Sequence, residues 1–122
     1  MHNTNKEQAK LRVAVTAEGN NLDSPLCPIF GRCPVFVFVE TDTMTFDAAP
    51  NPAAGTRGGA GIRAANFVVA QGAKAVVTGN VGPNAQRVLD SASLPVHLAA
   101  AATVREAVEA YKAGDLASKS AS

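Results

Sequence analysis

A chain of 122 residues has the length of one ordinary domain, and an apolar fraction of 47% is enough for a real core. Eleven basic against ten acidic residues leave a formal charge of +1, which is not the concentrated basic stripe of a duplex-binding protein, so no nucleic-acid partner is expected. No apolar run approaches the roughly 20 residues that cross a bilayer, and the polar first ten residues carry no apolar signal core. A soluble, cytoplasmic protein with no membrane partner is expected, in which two cysteines are thiols rather than a structural disulfide.

With no Trp and few other aromatics, the core must be built from Val, Ala, Leu and Ile, the composition of buried strands in compact α/β domains. Residues 1–10 read as a disordered arm and 116–122 as a short frayed tail, leaving 11–115 as a single domain. Leu11–Ala17 is a first strand. A long loop follows from Glu18 to Pro34, punctuated by Gly19, Pro25, Pro28 and Gly31. Val35–Glu40 is apolar on both faces, as a central strand should be. Thr41–Met44 turns the chain into a hairpin partner, Thr45–Ala49, which Pro50 and Pro52 end.

The glycine-rich stretch Gly55–Gly61 then leads into a helix running to about Gln71, with Ile62, Ala65 and Val69 on one face and Gly72 as its stop. Lys74–Thr78 is the next strand, and Gly79–Gly82 the next turn. Pro83 opens a second helix whose apolar positions are Ala85, Val88, Leu89 and Ala92. Pro95–Leu98 is a short strand. Thr103 and Glu106 have the spacing of a capping box, ahead of a helix with Val104, Ala107, Val108 and Tyr111 on one face and Gly114 at its end. The order β-β-β-α-β-α-β-α predicts an α/β fold with a mixed sheet and helices packed over it.

Ligands of open α/β sheets bind beyond the carboxyl ends of the parallel strands. Three segments should converge there: the Glu18–Pro34 loop, the Gly58–Gly61 helix entry and the Gly79–Pro83 turn. Each is glycine-rich, and two open helices whose N-terminal amides favour anions. The same segments also read as ordinary turns. Cys27 and Cys33 lie in the long loop, and Arg32 beside Cys33 is expected to favour thiolate, the metal-binding form. Two thiols cannot complete the four-ligand shell of a zinc or iron–sulfur site. His2 lies in the arm, and His97 reads as a strand histidine. Such a donor set suits a preformed cluster that brings its own sulfides, or one shared across a homodimer.

Catalysis finds little support. Asp23, Asp42 and Asp47 sit where Asp commonly forms turns, and the chain has no nucleophile triad context or Walker lysine motif. A thiol redox protein would have to use a C-x5-C spacing in place of the familiar Cys-x-x-Cys. A metal-free module that binds small anions or nucleotides through the same loops is the main alternative to a cluster binder.

Several blocks are familiar in combination: Val13-Ala14-Val15, Leu22-Asp23-Ser24-Pro25, Phe30-Gly31-Arg32-Cys33-Pro34, Asn51-Pro52, Gly58-Gly59-Ala60-Gly61, Thr78 through Ala85, and Thr103 through Ala107. In this order they resemble the dinitrogenase iron-molybdenum cofactor biosynthesis family, the NifX-like accessory proteins and their small stand-alone relatives. The resemblance implies a ribonuclease-H-like motif, with a mixed five-stranded sheet and helices on both faces. It implies a non-enzymatic accessory role, binding, carrying or storing an iron–sulfur or iron–molybdenum type cluster or its precursor between donor and acceptor proteins. Carried over by position, Cys33 is the principal metal candidate, and Cys27, nominated from the loop itself, is a second. Arg32, Gly58, Gly59, Gly61, Gly79, Asn80 and Gly82 are the cofactor-binding candidates. Ile29 stands where many relatives have a histidine before Phe-Gly-Arg, which removes one potential ligand; Cys27, less usual in the family, offers a replacement.

Overall fold

The computed structural model describes residues 11–119, so the expected arm at 1–10 lies outside the described residues. Nine elements follow in order: β1 Arg12–Ala17, β2 Val35–Glu40, β3 Phe46–Pro50, α1 Ala60–Ala70, β4 Ala75–Thr78, α2 Pro83–Ser91, β5 Val96–Leu98, α3 Val104–Lys112 and β6 Ala117–Lys119. They form one sheet in the order β3-β2-β1-β4-β5-β6. β1, β4 and β5 run parallel, whereas β2 and β3 on one side and β6 on the other are antiparallel to their neighbours.

The five expected strands are present, together with the mixed topology. The sixth corrects the frayed reading over Ala117–Lys119, which pairs with β5 across Val96–Leu98; residues 120–122 of the expected tail lie outside the described residues. Nothing in Ala-Ser-Lys signals a strand by itself. The open backbone groups of β5 supply the pairing, as an edge strand does for any chain brought alongside.

Helices cover both faces. Ala14, Phe36, Phe38, Val76 and Val96 point to one side, where α1 and α2 bury Ala64, Ala65, Val68, Ala85 and Leu89 against them. Val13, Val15, Val37, Val39 and Val77 point to the other side, against Val104, Ala107 and Val108 of α3. The central strands β1, β2 and β4 are thus apolar on both faces, as two covering layers require.

One helix is rotated from the expected setting. Ile62 and Val69 are 40% and 37% exposed, and the buried stripe of α1 is Ala60, Ala64, Ala65 and Val68. The cause is the approach of α2. A Cβ on Gly61 would lie 3.2 Å from the Cβ of Ala85, so only the smallest side chains fit between the two helices. Ile62 and Val69 turn outward.

Candidate functional site

The switch point of the sheet lies between β1 and β4, where the chain leaves to opposite sides, and ligands of open sheets usually occupy that crevice. Here the protein fills it with its own loop. The Thr16 hydroxyl, fully buried at the end of β1, donates to the Cys27 carbonyl at 2.6 Å and meets the Thr78 hydroxyl of β4 at 2.8 Å. Ile29 bridges in parallel to Asn80, and the Phe30 amide donates to the Asn80 carbonyl at 3.1 Å. A Cβ on Gly79 would sit 2.8 Å from Pro28 backbone atoms, and one on Gly31 3.0 Å from the backbone of Gly61. Gly79 and Gly31 are therefore required by packing of the 28–31 turn.

With the crevice filled, the open space moves to the mouth between α1 and α2. A pocket of about 200 Å³ lies there, lined by the turn (Phe30, Gly31), the start of α1 (Gly59–Ile62) and the start of α2 (Gly82–Ala85). Both helices begin there on a glycine N-cap, Gly59 and Gly82, with no side-chain cap and no acidic residue in the first turn. Their first backbone bonds are Arg63 N–H to Gly59 O and Gln86 N–H to Gly82 O. The amides of Ala60, Gly61, Ile62, Asn84 and Ala85 therefore have no intrahelical acceptor, while Pro83 has no N–H to satisfy. By contrast, α3 is capped by its own residues: Thr103 Oγ1 accepts from the Glu106 amide, and Glu106 Oε1 from the Ala102 amide.

Charge follows the same division. Residues 48–89 contain no Asp or Glu, yet carry Arg57, Arg63, Lys74 and Arg87; residues 24–39 add Arg32, again without an acid. Close in sequence to the pocket-lining residues, Arg32, Arg57, Arg63 and Arg87 thus bring basic side chains where no acidic one stands. The combined helix dipoles and side chains favour an anion.

The expected site residues separate into groups. Gly59, Gly61 and Gly82 line the pocket. Gly79 holds the turn, and the Asn80 carbonyl accepts from Phe30. Gly58 is open, with nothing within 4 Å of a Cβ placed on it. Arg32 extends to the Thr56 carbonyl at 3.0 Å, tying the glycine-rich loop to the turn. Phe30, Gly31 and Pro83 also line the pocket, within the segments expected to converge, whereas Ile62, Asn84 and Ala85 lie outside them; the acid-free run through 48–89 was the available signal for these.

The cysteines are inward. Cys33 is wholly buried and its thiol donates to the Phe30 carbonyl at 3.2 Å; Cys27 is 6% exposed, with its sulfur 3.7 Å from the Ile29 carbonyl. Burial pushes the Cys33 thiol up to about 12 and repulsion from Cys27 adds to this, with hydrogen bonds from Ala17 and Asn51 opposing. Burial also raises Cys27, against the Ile29 backbone and with the Glu18 carboxylate. The expected activation of Cys33 by Arg32 is corrected by this geometry: the guanidinium turns to Thr56, and desolvation governs the thiol. His97 lies on the α3 side of the sheet, its ring 4.9 Å from that of Tyr111, and burial lowers its pKa. Among the described residues, no group of three or more His, Cys, Asp or Glu is placed to hold a metal ion. No helix among them is long and apolar enough to cross a membrane.

Comparison with known proteins bears on this arrangement. The apo form of the orange protein from Desulfovibrio gigas is 38% identical, with TM-score 0.85 over 89% of this chain and 92% of that one. A Thermotoga protein assigned as NifB is 29% identical, with TM-score 0.76 over 87% of this chain and 90% of that one. A Methanocaldococcus jannaschii protein, 15% identical with TM-score 0.69 over 91% and 96% of the two chains, shares the fold. Comparison with curated protein sequences gives no match. The family model described as dinitrogenase iron-molybdenum cofactor matches residues 10–114, nearly the whole chain, and the protein belongs to that family.

Proposed function

We propose that this protein carries a preformed anionic metallocluster, or a precursor of one, in the pocket between the N-termini of α1 and α2. It acts as a non-enzymatic accessory protein that exchanges this cargo with donor and acceptor proteins. The observation that carries the reading is the convergence of two uncapped, acid-free helix starts on one pocket. Family membership supports a link to iron–molybdenum type cofactors. The orange protein is described in an apo form, which supports a dissociable guest in a relative.

The chemistry of the donors agrees. A cluster that brings its own sulfides needs N–H donors and positive potential more than it needs protein thiolates. Size disfavours the nucleotide alternative: about 200 Å³ is below the roughly 300–1,000 Å³ of usual small-molecule pockets. A compact anion fits there and leaves one side open for transfer.

The test is anaerobic incubation of the purified protein with ferrous iron and sulfide, with and without molybdate, followed by metal quantification and visible and EPR spectra. Parallel samples would carry Asn84→Asp, Arg63→Glu, Cys27→Ser and Cys33→Ser. Cluster signals weakened by the first two changes and retained in both cysteine variants support the pocket. Loss confined to the cysteine variants would assign ligation to Cys33 or Cys27 and require the 27–33 turn to open. Absence of bound metal in the unaltered protein would sink the carrier reading in favour of a metal-free anion module.

A further inference from the structure

Asn51 follows β3, on a segment that does not line the pocket, yet its side chain is 5% exposed and fully engaged. Its Nδ2 donates to the Cys33 carbonyl at 2.8 Å and to the Gly31 carbonyl at 3.2 Å, with the Cys33 sulfur at 3.8 Å. Its Oδ1 accepts from the Ala53 amide at 2.9 Å, and its own amide donates to the Pro34 carbonyl at 2.9 Å. The Oδ1 contact makes an Asx turn that starts the 51–59 loop; the Nδ2 contacts hold the Gly31–Cys33 turn.

We infer that Asn51 is the positioning residue of the pocket: one carboxamide fixes the Phe30–Gly31 wall and, from its other end, the loop that leads to the Gly59 N-cap. This rests on the pocket reading above. The two walls come from segments distant in sequence, and no pocket-lining side chain bonds them together. Gly31 and Gly61 approach through backbone alone, at a separation that a single Cβ would violate. Such a contact has no directional bond of its own, so the carbonyls of Gly31 and Cys33 set the turn by where Asn51 holds them. Each amide hydrogen has a separate acceptor, so the orientation is over-determined.

Asn51→Asp separates this role from general support. Aspartate has the same shape and keeps the acceptor for Ala53, but presents a carboxylate oxygen to two carbonyls in place of two donors. The readouts are amide hydrogen exchange of the metal-free protein and cluster loading with ferrous iron, sulfide and molybdate. Arg12→Ala serves as a destabilised control, because it loosens the far end of the sheet. Asn51→Asp should speed exchange of the Phe30 amide by roughly tenfold or more over that of Val13–Val15, and weaken loading by a similar factor at a temperature where both variants are folded. Arg12→Ala should neither raise exchange of the Phe30 amide relative to Val13–Val15 nor weaken loading. If the Phe30 amide keeps its protection in Asn51→Asp, or if Arg12→Ala matches Asn51→Asp in both readouts, the positioning role is overturned. Failure of the unaltered protein to load overturns the pocket reading instead, and the exchange ratio still decides what Asn51 holds.

Discussion

The hydroxyls of Thr16 and Thr78 meet at 2.8 Å in a fully buried position across the parallel β1–β4 pair. The same Thr16 hydroxyl also reaches the Cys27 carbonyl, at 2.6 Å. This short chain of bonds closes the crevice at the switch point. Thr16→Val removes it without changing shape and leaves the Cys27 carbonyl short of a donor. A loss of about 1–3 kcal/mol is expected, measured as a lowered urea midpoint with unchanged m-value.

Glycines in this protein divide by what a methyl group would strike. Gly79→Ala places a Cβ 2.8 Å from the Pro28 backbone, which has no side-chain rotamer to yield. It should cost about 1–3 kcal/mol and reduce loading by moving the turn. Gly58→Ala meets nothing within 4 Å and should leave stability within about 0.5 kcal/mol of the unaltered protein. Equal melting temperatures for the two variants would refute the packing role of Gly79.

Asn84→Asp is expected to move stability and binding in opposite directions. Asn84 Oδ1 accepts from Arg87 Nη1 at 3.1 Å, a contact that aspartate preserves. A negative charge in the first turn of α2 stabilises that helix by about 0.3–1 kcal/mol. The same charge borders the pocket and opposes an anionic guest, so loading should fall several-fold and recover in part with added salt. A variant that is both more stable and better at loading would contradict an anion site.

Alkaline pH should expose the thiol. The folded pKa of Cys33 is raised from 9.0 to about 12, so the stability it contributes is complete below pH 9 and is lost as pH rises toward 12. Stability should fall by up to about 1.4 kcal/mol per pH unit in that window. Cys27 and Tyr111 are also raised and titrate in the same direction, so the Cys33 share is read as the difference from Cys33→Ala. A pH profile identical in the variant would show that Cys33 is not desolvated in solution.

Arg12 supplies a test of a surface cluster. Its guanidinium reaches Glu40 at 2.8 Å, Asp47 at 3.5 Å and the Gln71 carbonyl at 3.1 Å, and lies 4.8 Å from the centre of the Phe38 ring. These groups are partly solvated, so Arg12→Ala should cost only about 1–2 kcal/mol, less at high salt. Thermal denaturation at two ionic strengths checks both parts.

Much of the fold could be read from residue pattern. Val-rich runs bounded by Gly and Pro marked β1, β2 and β4, and Thr103 with Glu106 marked the start of α3, where both side chains cap as expected. Periodicity failed on α1, because it assumes that the largest apolar residues face inward. The approach of α2 at Gly61 selected alanines there instead. The short β6 had no local signal, since its pairing depends on β5 alone. At the site, three of the glycines nominated from sequence line the pocket. The influence of Arg32 on Cys33 was misjudged because adjacency in a turn does not bring side chains together; one goes to Thr56 and the other to the core.

Much of the Glu18–Pro34 loop is fastened by residues far along the chain. Leu22, Ser24 and Leu26 bond to the backbone of Arg105, Val104 and Ala102 on the α3 side, and Phe30 bonds to Asn80 on the other. Contacts of such sequence separation cannot form until the distant segment exists, so during synthesis this loop must wait for nearly all of the chain to emerge. The pocket is therefore among the last features to be completed. An emerging chain, with its first strands already made, still lacks the contacts that finish the wall of the pocket.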